Sequence, residues 1–442
     1  MIPVKEICVT SRTIRLALPH MFGVKQGNPS PRRWRAVYLL EEIDSPGEHC
    51  FDVKAGKLYF YPPRASGRLA VACRKSAFFS LEGASNLRFS DLGMEECLST
   101  AITARRCTNV EIKRVKFRNI RDKAVDIEES DLCGVRGCDV RETGCGGIAI
   151  GGGDRKTLTG GTNTVEDCLI RGYSRLQLCY ASAITASGVH PIVRHCEISD
   201  APHMAVAFSC NDGVFEYNVV SNVVQNSDDA GAFYKGRNPS MRGNVIRWNI
   251  WKDIGAARGH GTAAIYLDDG DGGERIEGNL FVRCGYFGKG SFGTVFVHGG
   301  HSNVVRNCVF VDCERPLGSK FWDDGRWGAF VRSPLWRKKL REEVDITGET
   351  YLSHYPELAG FMDPQPGALR GNRALDNVIV NCKSVCSGRF ATNSTDVVFT
   401  SDPGFVDAAR GDYSFRRDSP VRTLVPSFRD IPMSKIGLLT RR

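Results

Sequence analysis

The chain has 442 residues, enough for one large domain or two ordinary ones, and its 42% apolar and 25% charged residues are the balance of a globular protein. No stretch approaches the ~18 consecutive apolar residues of a membrane span, and the start, "MIPVKEICVTSRTIRLALPH", lacks the charged start, apolar block and small-residue cleavage site of a secretory signal. The net charge of +9 admits acidic partners such as nucleic acid or uronate-rich polysaccharide, but Lys and Arg are scattered and the densest run, "WRKKLREE", carries its own carboxylates, so a solvated basic surface and no nucleic-acid partner are expected.

In chain order, residues 1 to about 90 show no repeat. There "GEHCFDVKAGKLYFYPP" reads as a hairpin with a Lys-Ala-Gly-Lys turn, and a small β-rich module that merges with the downstream chain is expected. Beyond it a six-residue template recurs: apolar, two variable, Asn or Cys, one variable, apolar. It reads "VRGCDV" from Val135, "VEDCLI" from Val165, "VRHCEI" from Val193, "FEYNVV" from Phe215, "IRWNIW" from Ile246, "IEGNLF" from Ile276 and "VRNCVF" from Val305. The intervals are 30, 28, 22, 31, 30 and 29 residues, with weaker copies at "IKRVKF" (112–117) and "ALDNVI" (374–379). The residues between copies are rich in Gly, Asn, Asp and Ser and lack apolar spacing at three and four, so they do not write helices. Short apolar strands separated by turns once per coil predict a parallel β-solenoid over residues 91–442.

The Asn/Cys slot then has a physical meaning. Equivalent residues of stacked coils form a column at ~4.8 Å spacing, along which inward Asn side chains can hydrogen-bond, and Cys fills the same narrow site as a small apolar group. A second column is expected through Cys284, Cys313 and Cys382. Most of the 17 cysteines are therefore read as buried and reduced, not as a disulfide framework or zinc site.

Each coil adds another strand: "GIAIGGG" (147–153), "AVAFSCND" (205–212), "AGAFYKGR" (230–237), "AAIYLDDG" (263–270) and "TVFVHGGH" (294–301). Alternation puts Ile265, Leu267, Val295 and Val297 inside and Tyr266, Asp268 and His298 outside. The outward face makes a groove floor for an extended polymer. Residues about 314–373 interrupt the repeat with a long insertion, which holds "FWDDGRWGAF" and a short helix in "SPLWRKKLREEV" and is expected over the binding face.

Exposed polar residues gather on consecutive coils: Asp228, Asp229, Tyr234, Lys235 and Arg237, then Asp268, Asp269 and Asp271, then His298 and His301, with His203 one coil earlier. Glycoside hydrolysis needs one protonated and one ionised carboxyl, and rungs of one sheet can set two carboxylates ~5–10 Å apart. In the simplest register, however, Asp229 begins its strand while Asp268 ends its own. "DDGDGG" also suits a plain turn, with Asp271 belonging to it. A calcium cage is open, but neither the helix-flanked nor the nonapeptide calcium pattern is present. His203 beside Pro202 suits a turn histidine, Trp322 and Trp327 could stack on sugar rings or cap the coil, and an acid–base role for Tyr234 or His298 stays open.

The segments "PGEHCFDVKAGKLYFYPP", "APHMAVAF", "DAGAFYKGR", "IYLDDG" and "DPGFVD…GDYSFRRDSPV", in this order, resemble bacterial right-handed parallel β-helix carbohydrate enzymes, and most of all glycoside hydrolase family 141, over nearly the whole chain. That resemblance implies α-L-fucosidase or xylanase activity on a plant-type or host glycan, no required cofactor, and catalysis by Asp229 with Asp268 or Asp269. His203, Asp228, Tyr234, Lys235, Arg237, His298, Trp322 and Trp327 are the expected substrate contacts. The chain departs from the family in Gly236-Arg237-Asn238, where Gly-Arg-Asp is usual, and in the doubled Asp228-Asp229. The resemblance implies a secreted or periplasmic enzyme, so without a leader the chain reads as cytoplasmic or as part of a longer protein; a monomer is expected. Two rivals remain: a polysaccharide lyase using Lys235 and Arg237 on a uronate polymer, and a non-catalytic carbohydrate-binding solenoid.

Overall fold

A computed structural model describes residues 2–20, 34–64, 67, 69–256, 259–288, 290–362, 371–388, 390 and 395–440. The chain divides into two compact units, Met1–Ala72 and Cys73–Arg442. In the first, His49–Asp52 pairs antiparallel with Lys57–Phe60, which is the expected hairpin. Its turn is held by the Asp52 carboxylate, which accepts from the amides of Lys54 and Ala55 at 3.0 Å each. A second hairpin joins Val4–Cys8 to Thr13–Leu16.

The second unit is a right-handed parallel β-helix whose coils contribute one strand each to three parallel sheets of 11, 12 and 10 strands. Its first coil already holds Phe79–Glu82, Ser85–Ser90 and Gly93–Cys97, so the solenoid begins before position 90. This coil escapes the template because it is the end of the stack. Its slot residue is the exposed Leu92, and an Asn there would find no preceding carbonyl.

The template works as a ladder. Asn218 Nδ2 donates to Asn249 Oδ1 and Asn249 Nδ2 to Asn279 Oδ1, both at 3.0 Å. Each amide also donates to the carbonyl of the preceding coil: Asn218 to Val193, Asn249 to Phe215, Asn279 to Ile246. The cysteines take over this second role, Cys168 Sγ pointing to Val135 O, Cys196 to Val165 O and Cys308 to Ile276 O. Each slot side chain is turned inward by the residue before it, which sits in the left-handed region: His195, Tyr217, Trp248, Gly278 and Asn307 have φ between 54° and 60°. That conformation is costly for Tyr217 and Trp248. Their outward rings recover part of it by packing together, with centroids 5.0 Å apart. Cys284, Cys313 and Cys382 repeat the arrangement at the next corner, and none of the 17 cysteines is in a disulfide.

A further Asn column was not read from the sequence. Asn163, Asn244, Asn303 and Asn372 lie just before the strands of the 10-stranded sheet and accept from the backbone amides of Cys133, Gly213, Glu274 and Asn303. The other unforeseen element is the C-terminal segment. Phe405, Phe415, Val421, Val425 and Phe428 cover Leu280, Val282, Val309, Val311, Val378 and Val380, which face outward from the 11-stranded sheet and would otherwise be bare. Among the described residues no helix is long and apolar enough to cross a membrane.

The insertion leaves the solenoid after Leu317–Lys320, which is itself a rung, and folds as helices Asp324–Val331, Pro334–Arg337 and Glu349–His354; its residues 363–370 lie outside those described. The helix expected in "SPLWRKKLREEV" is Pro334–Arg337, capped by Ser333, continuing as the wider turns Lys338–Glu342. The insertion has its own core of Trp327, Trp336, Leu340, Ile346 and Tyr351 and is tied to the coils by the buried Arg242, 2.9 Å from Glu357, and by His354 on Asp212 at 2.9 Å.

Replacing Asn249 by Leu should destabilise the protein by about 2–4 kcal/mol, because it leaves the Asn218 amide and the Phe215 carbonyl buried without partners. Denaturant unfolding measures this. Cys168→Ala, which removes only a weak donor and little volume, should cost clearly less.

Candidate active site

In the 12-stranded sheet Ala230–Gly236 pairs with Thr262–Asp268, and this strand with Val295–His298, which in turn pairs with Leu317–Lys320. The register puts Gly236, Asp268, His298 and Lys320 in one outward column and Tyr234, Tyr266 and Phe296 in the next. Asp268 thus stands opposite Gly236, and Asp229 opposite Gly261, a strand's length apart in register. The gap is spanned by a tyrosine side chain. The Tyr266 hydroxyl donates to Asp229 Oδ1 at 3.3 Å and lies against the Asp268 carboxylate as well. The Tyr234 hydroxyl donates to Asp268 Oδ2 at 2.9 Å. Tyr234 and Tyr266 meet edge to face at 5.5 Å, and Phe292 and Phe296 hold the Tyr266 ring at 5.1 Å each.

The two ends differ electrostatically. Asp229 is open to solvent at the rim, yet protein crowds its carboxyl on most sides. That crowding, and then the facing charge of Asp268, push it above the ordinary aspartate value. At the other end Asp268 accepts from Tyr234, from His298 Nδ1 at 2.8 Å and from the Asp269 amide at 2.8 Å. Asp269 is engaged by Arg237 Nε at 2.7 Å and by His298 at 3.3 Å. Burial works to raise Asp269, but the His298 bond and the Arg237 charge outweigh it and hold the group below its ordinary value. His298 is the mirror case. Burial lowers it, while its bonds to Asp268 and Asp269 prevail and raise it. With only carboxylates to meet, Nδ1 must carry the proton.

Asp268, Asp269 and His298 offer three ligand atoms within 4.8 Å of one another. A hydrogen-bonded imidazole N–H between carboxylates accounts for this set better than a hard divalent cation, which prefers six or more oxygen ligands.

Five expected substrate contacts do not join this group. Lys235 points into the solenoid and is 2% exposed, because alternation along its strand sends it inward between Tyr234 and Gly236. There it pairs with Asp271 and, at 3.1 Å, with Glu274. Asp271 does follow the strand in the turn, as expected, but its carboxylate is buried. Burial raises both Asp271 and Glu274, and Lys235 between them opposes it. Trp322 and Trp327 are 1% and 0% exposed, so neither stacks on a sugar; both pack in the core of the insertion. His203 is 5% exposed, and burial lowers it to about 4, so it is a neutral ring beneath Tyr180 at 5.2 Å. Asp228 accepts from the His260 amide at 3.2 Å and steadies the next coil beside Asp229.

Asp229, Tyr234, Arg237, Asp268, Asp269 and His298 are brought together. Tyr266 was missed as a site residue although period-two alternation with Asp268 marked it. Arg326, whose Nη2 lies 3.4 Å from His298 Nε2, carries no such mark, because the insertion delivers it. Arg326 lies over the Trp322 ring at 4.2 Å.

A family model for a right-handed β-helix region matches residues 181–319, the coils that carry these groups. No curated protein matches the sequence. One similar solved structure is described as a glycoside hydrolase, with 13% identity over 68% of this chain and a TM-score of 0.49. The match spans 63% of that protein's length. Another is a mannuronic acid specific polysaccharide family 6 lyase from human gut microbiota, with 8% identity over 83% of this chain and 90% of its own, and a TM-score of 0.36.

Because His298 is raised in the folded chain, its stabilising contribution is complete below the unfolded value of about 6.5 and is lost as pH rises through the folded value. Thermal melts of wild type and His298→Gln should differ most near pH ~5.5 and converge toward pH ~9. A gap that widens with pH would contradict the assignment.

Proposed function

We propose that the protein is a glycoside hydrolase that lays an extended glycan along the outward face of the 12-stranded sheet, with Asp229 as general acid and Asp268 as the ionised partner. One observation carries this reading: two carboxyls share a tyrosine, Asp229 raised by crowding and by its partner's charge, Asp268 held by three hydrogen-bond donors. Acid-assisted departure of a sugar requires one carboxyl that holds its proton beside a second one, and Asp229 is the raised member of this pair. Asp229 gives its proton to the leaving oxygen, and the Asp268 carboxylate stabilises the developing oxocarbenium charge, either by attack or by activating water. Asp269, occupied by Arg237 and His298, orients the His298 ring against Asp268 and is a positioning residue. The fucosidase and xylanase activities implied by the resemblance to family 141 belong to this proposal and are the first to assay.

The lyase alternative loses its two expected groups, since Lys235 is buried among carboxylates and Arg237 is bound to Asp269. Its products would differ: an unsaturated uronide absorbing in the ultraviolet instead of a plain reducing sugar.

Asp229→Asn and Asp268→Asn should each lower sugar release by about 10²–10⁴-fold in a protein that stays folded, with Asp268→Asn melting lower than Asp229→Asn because it weakens the bond to His298. Aryl glycosides with good leaving groups should recover much of the loss in Asp229→Asn and little in Asp268→Asn. Full activity in both variants, or an ultraviolet-absorbing product from wild type, would defeat the proposal.

A further inference from the structure

Most outward arginines of this solenoid are neutralised, as Arg105 is by Glu128, Arg136 by Glu166, Arg247 by Glu216 and Arg283 by Asp253. Two cations beside the site are not. Lys320 is exposed, directly follows His298 in the outward column, and has no carboxylate within ion-pair distance among the described residues. Arg326 is likewise exposed and without a carboxylate partner there; its guanidinium meets the His298 ring, with Nη2 3.4 Å from Nε2, and the rings of Trp322 and Phe330, whose centroids lie 4.2 and 5.9 Å from it.

Arg326 is also held in place. Its amide donates at 2.8 Å to Asp323, the N-cap of Asp324–Val331, and its guanidinium lies over the indole of Trp322, a side chain that is itself buried, 4.2 Å from the ring centroid. A guanidinium stacked on an aromatic ring keeps its N–H edge free and aimed, and that edge matches an oxyanion in two-point geometry. The insertion is fixed to the coils by Arg242–Glu357, His354–Asp212 and Lys339 on the Arg237 carbonyl at 2.6 Å, so this edge is set against the site and does not swing over it.

We infer that Lys320 and Arg326 form an anionic subsite next to Asp268 and His298, which takes the carboxylate or sulfate of an acidic sugar adjoining the cleaved bond. The inference rests on the hydrolase reading for the position of that bond. The physical reason for such a subsite is local. Asp268 and Asp269 repel an acidic glycan, and the cations left uncommitted at the rim offset that repulsion and fix the chain's register. Arg237 cannot serve, because Asp269 occupies it.

The test is binding to the Asp229→Asn protein, which removes turnover. Oligosaccharides of galacturonan, glucuronoxylan and alginate, each beside its carboxyl-reduced twin, and sulfated galactan oligosaccharides are titrated calorimetrically. At least one acidic ligand should bind about tenfold or more tightly than its neutral counterpart, with an affinity that falls as salt rises. Uronates winning over sulfated galactan identifies a carboxylate subsite, and the reverse a sulfate subsite. Arg326→Gln and Lys320→Gln in the same background should remove the preference and leave neutral-glycan affinity within about twofold, while Arg326→Lys restores part of it. Equal binding of acidic and neutral twins, no binding of any acidic ligand, or a preference that survives both substitutions overturns the inference. Release of neutral sugar by wild type in any of those cases would leave the hydrolase reading standing.

Discussion

In-register stacking of successive coils is the constraint on which everything else depends. Ala230 stands opposite Thr262 and Ile265 opposite Val295, and the Asn218–Asn249–Asn279 ladder locks that register from within. A slip of one residue would send Tyr266, Asp268 and His298 inside and Ile265 and Leu267 out. The buried ladder forbids this, since each amide would lose its partner. Tyr234, Asp268 and His298, from three rungs, are thereby held at hydrogen-bond distance although 34 and 30 residues separate them in the chain.

The same alternation explains what the groove excludes. Lys235 lies between two outward residues of its strand, so it must face the core, and there it survives only by pairing with Asp271 and Glu274. A buried cation beside two carboxylates is costly to leave incomplete. It fastens the strand that carries Tyr234 to the turn that follows Asp269. The site is thus braced by polar contacts on both faces of one sheet: tyrosines, His298 and Arg237 outside, a buried ion cluster inside.

The coils, the two columns of the template and the clustering of Asp229, Asp268 and His298 were legible in the sequence, because a period of 2 within strands and ~30 between them leaves a written trace. The bridge between Asp229 and Asp268 was not. Sequence places one at the start of a strand and the other at the end of the next, and only the reach of the Tyr266 side chain joins them. For Trp322 and Trp327 the sequence left sugar stacking and capping of the coil open, because nothing in it shows that the insertion closes on its own core. Arg326 was invisible for the same reason: its position depends on how the insertion docks, and no periodicity encodes that. The 10-stranded sheet's Asn column escaped notice because Pro191, Gly213 and Glu274 interrupt it.

The central claim is that Asp229 and Asp268 act as one electrostatic pair. Carbon-13 labelling of the aspartates, with Asp229 assigned by its loss in Asp229→Asn, gives its titration directly. The account predicts that Asp229 titrates above an ordinary aspartate in the wild type and falls back toward that value in Asp268→Asn, where the facing charge is gone. An Asp229 that titrates at the ordinary value, or one indifferent to the removal of Asp268, would contradict it.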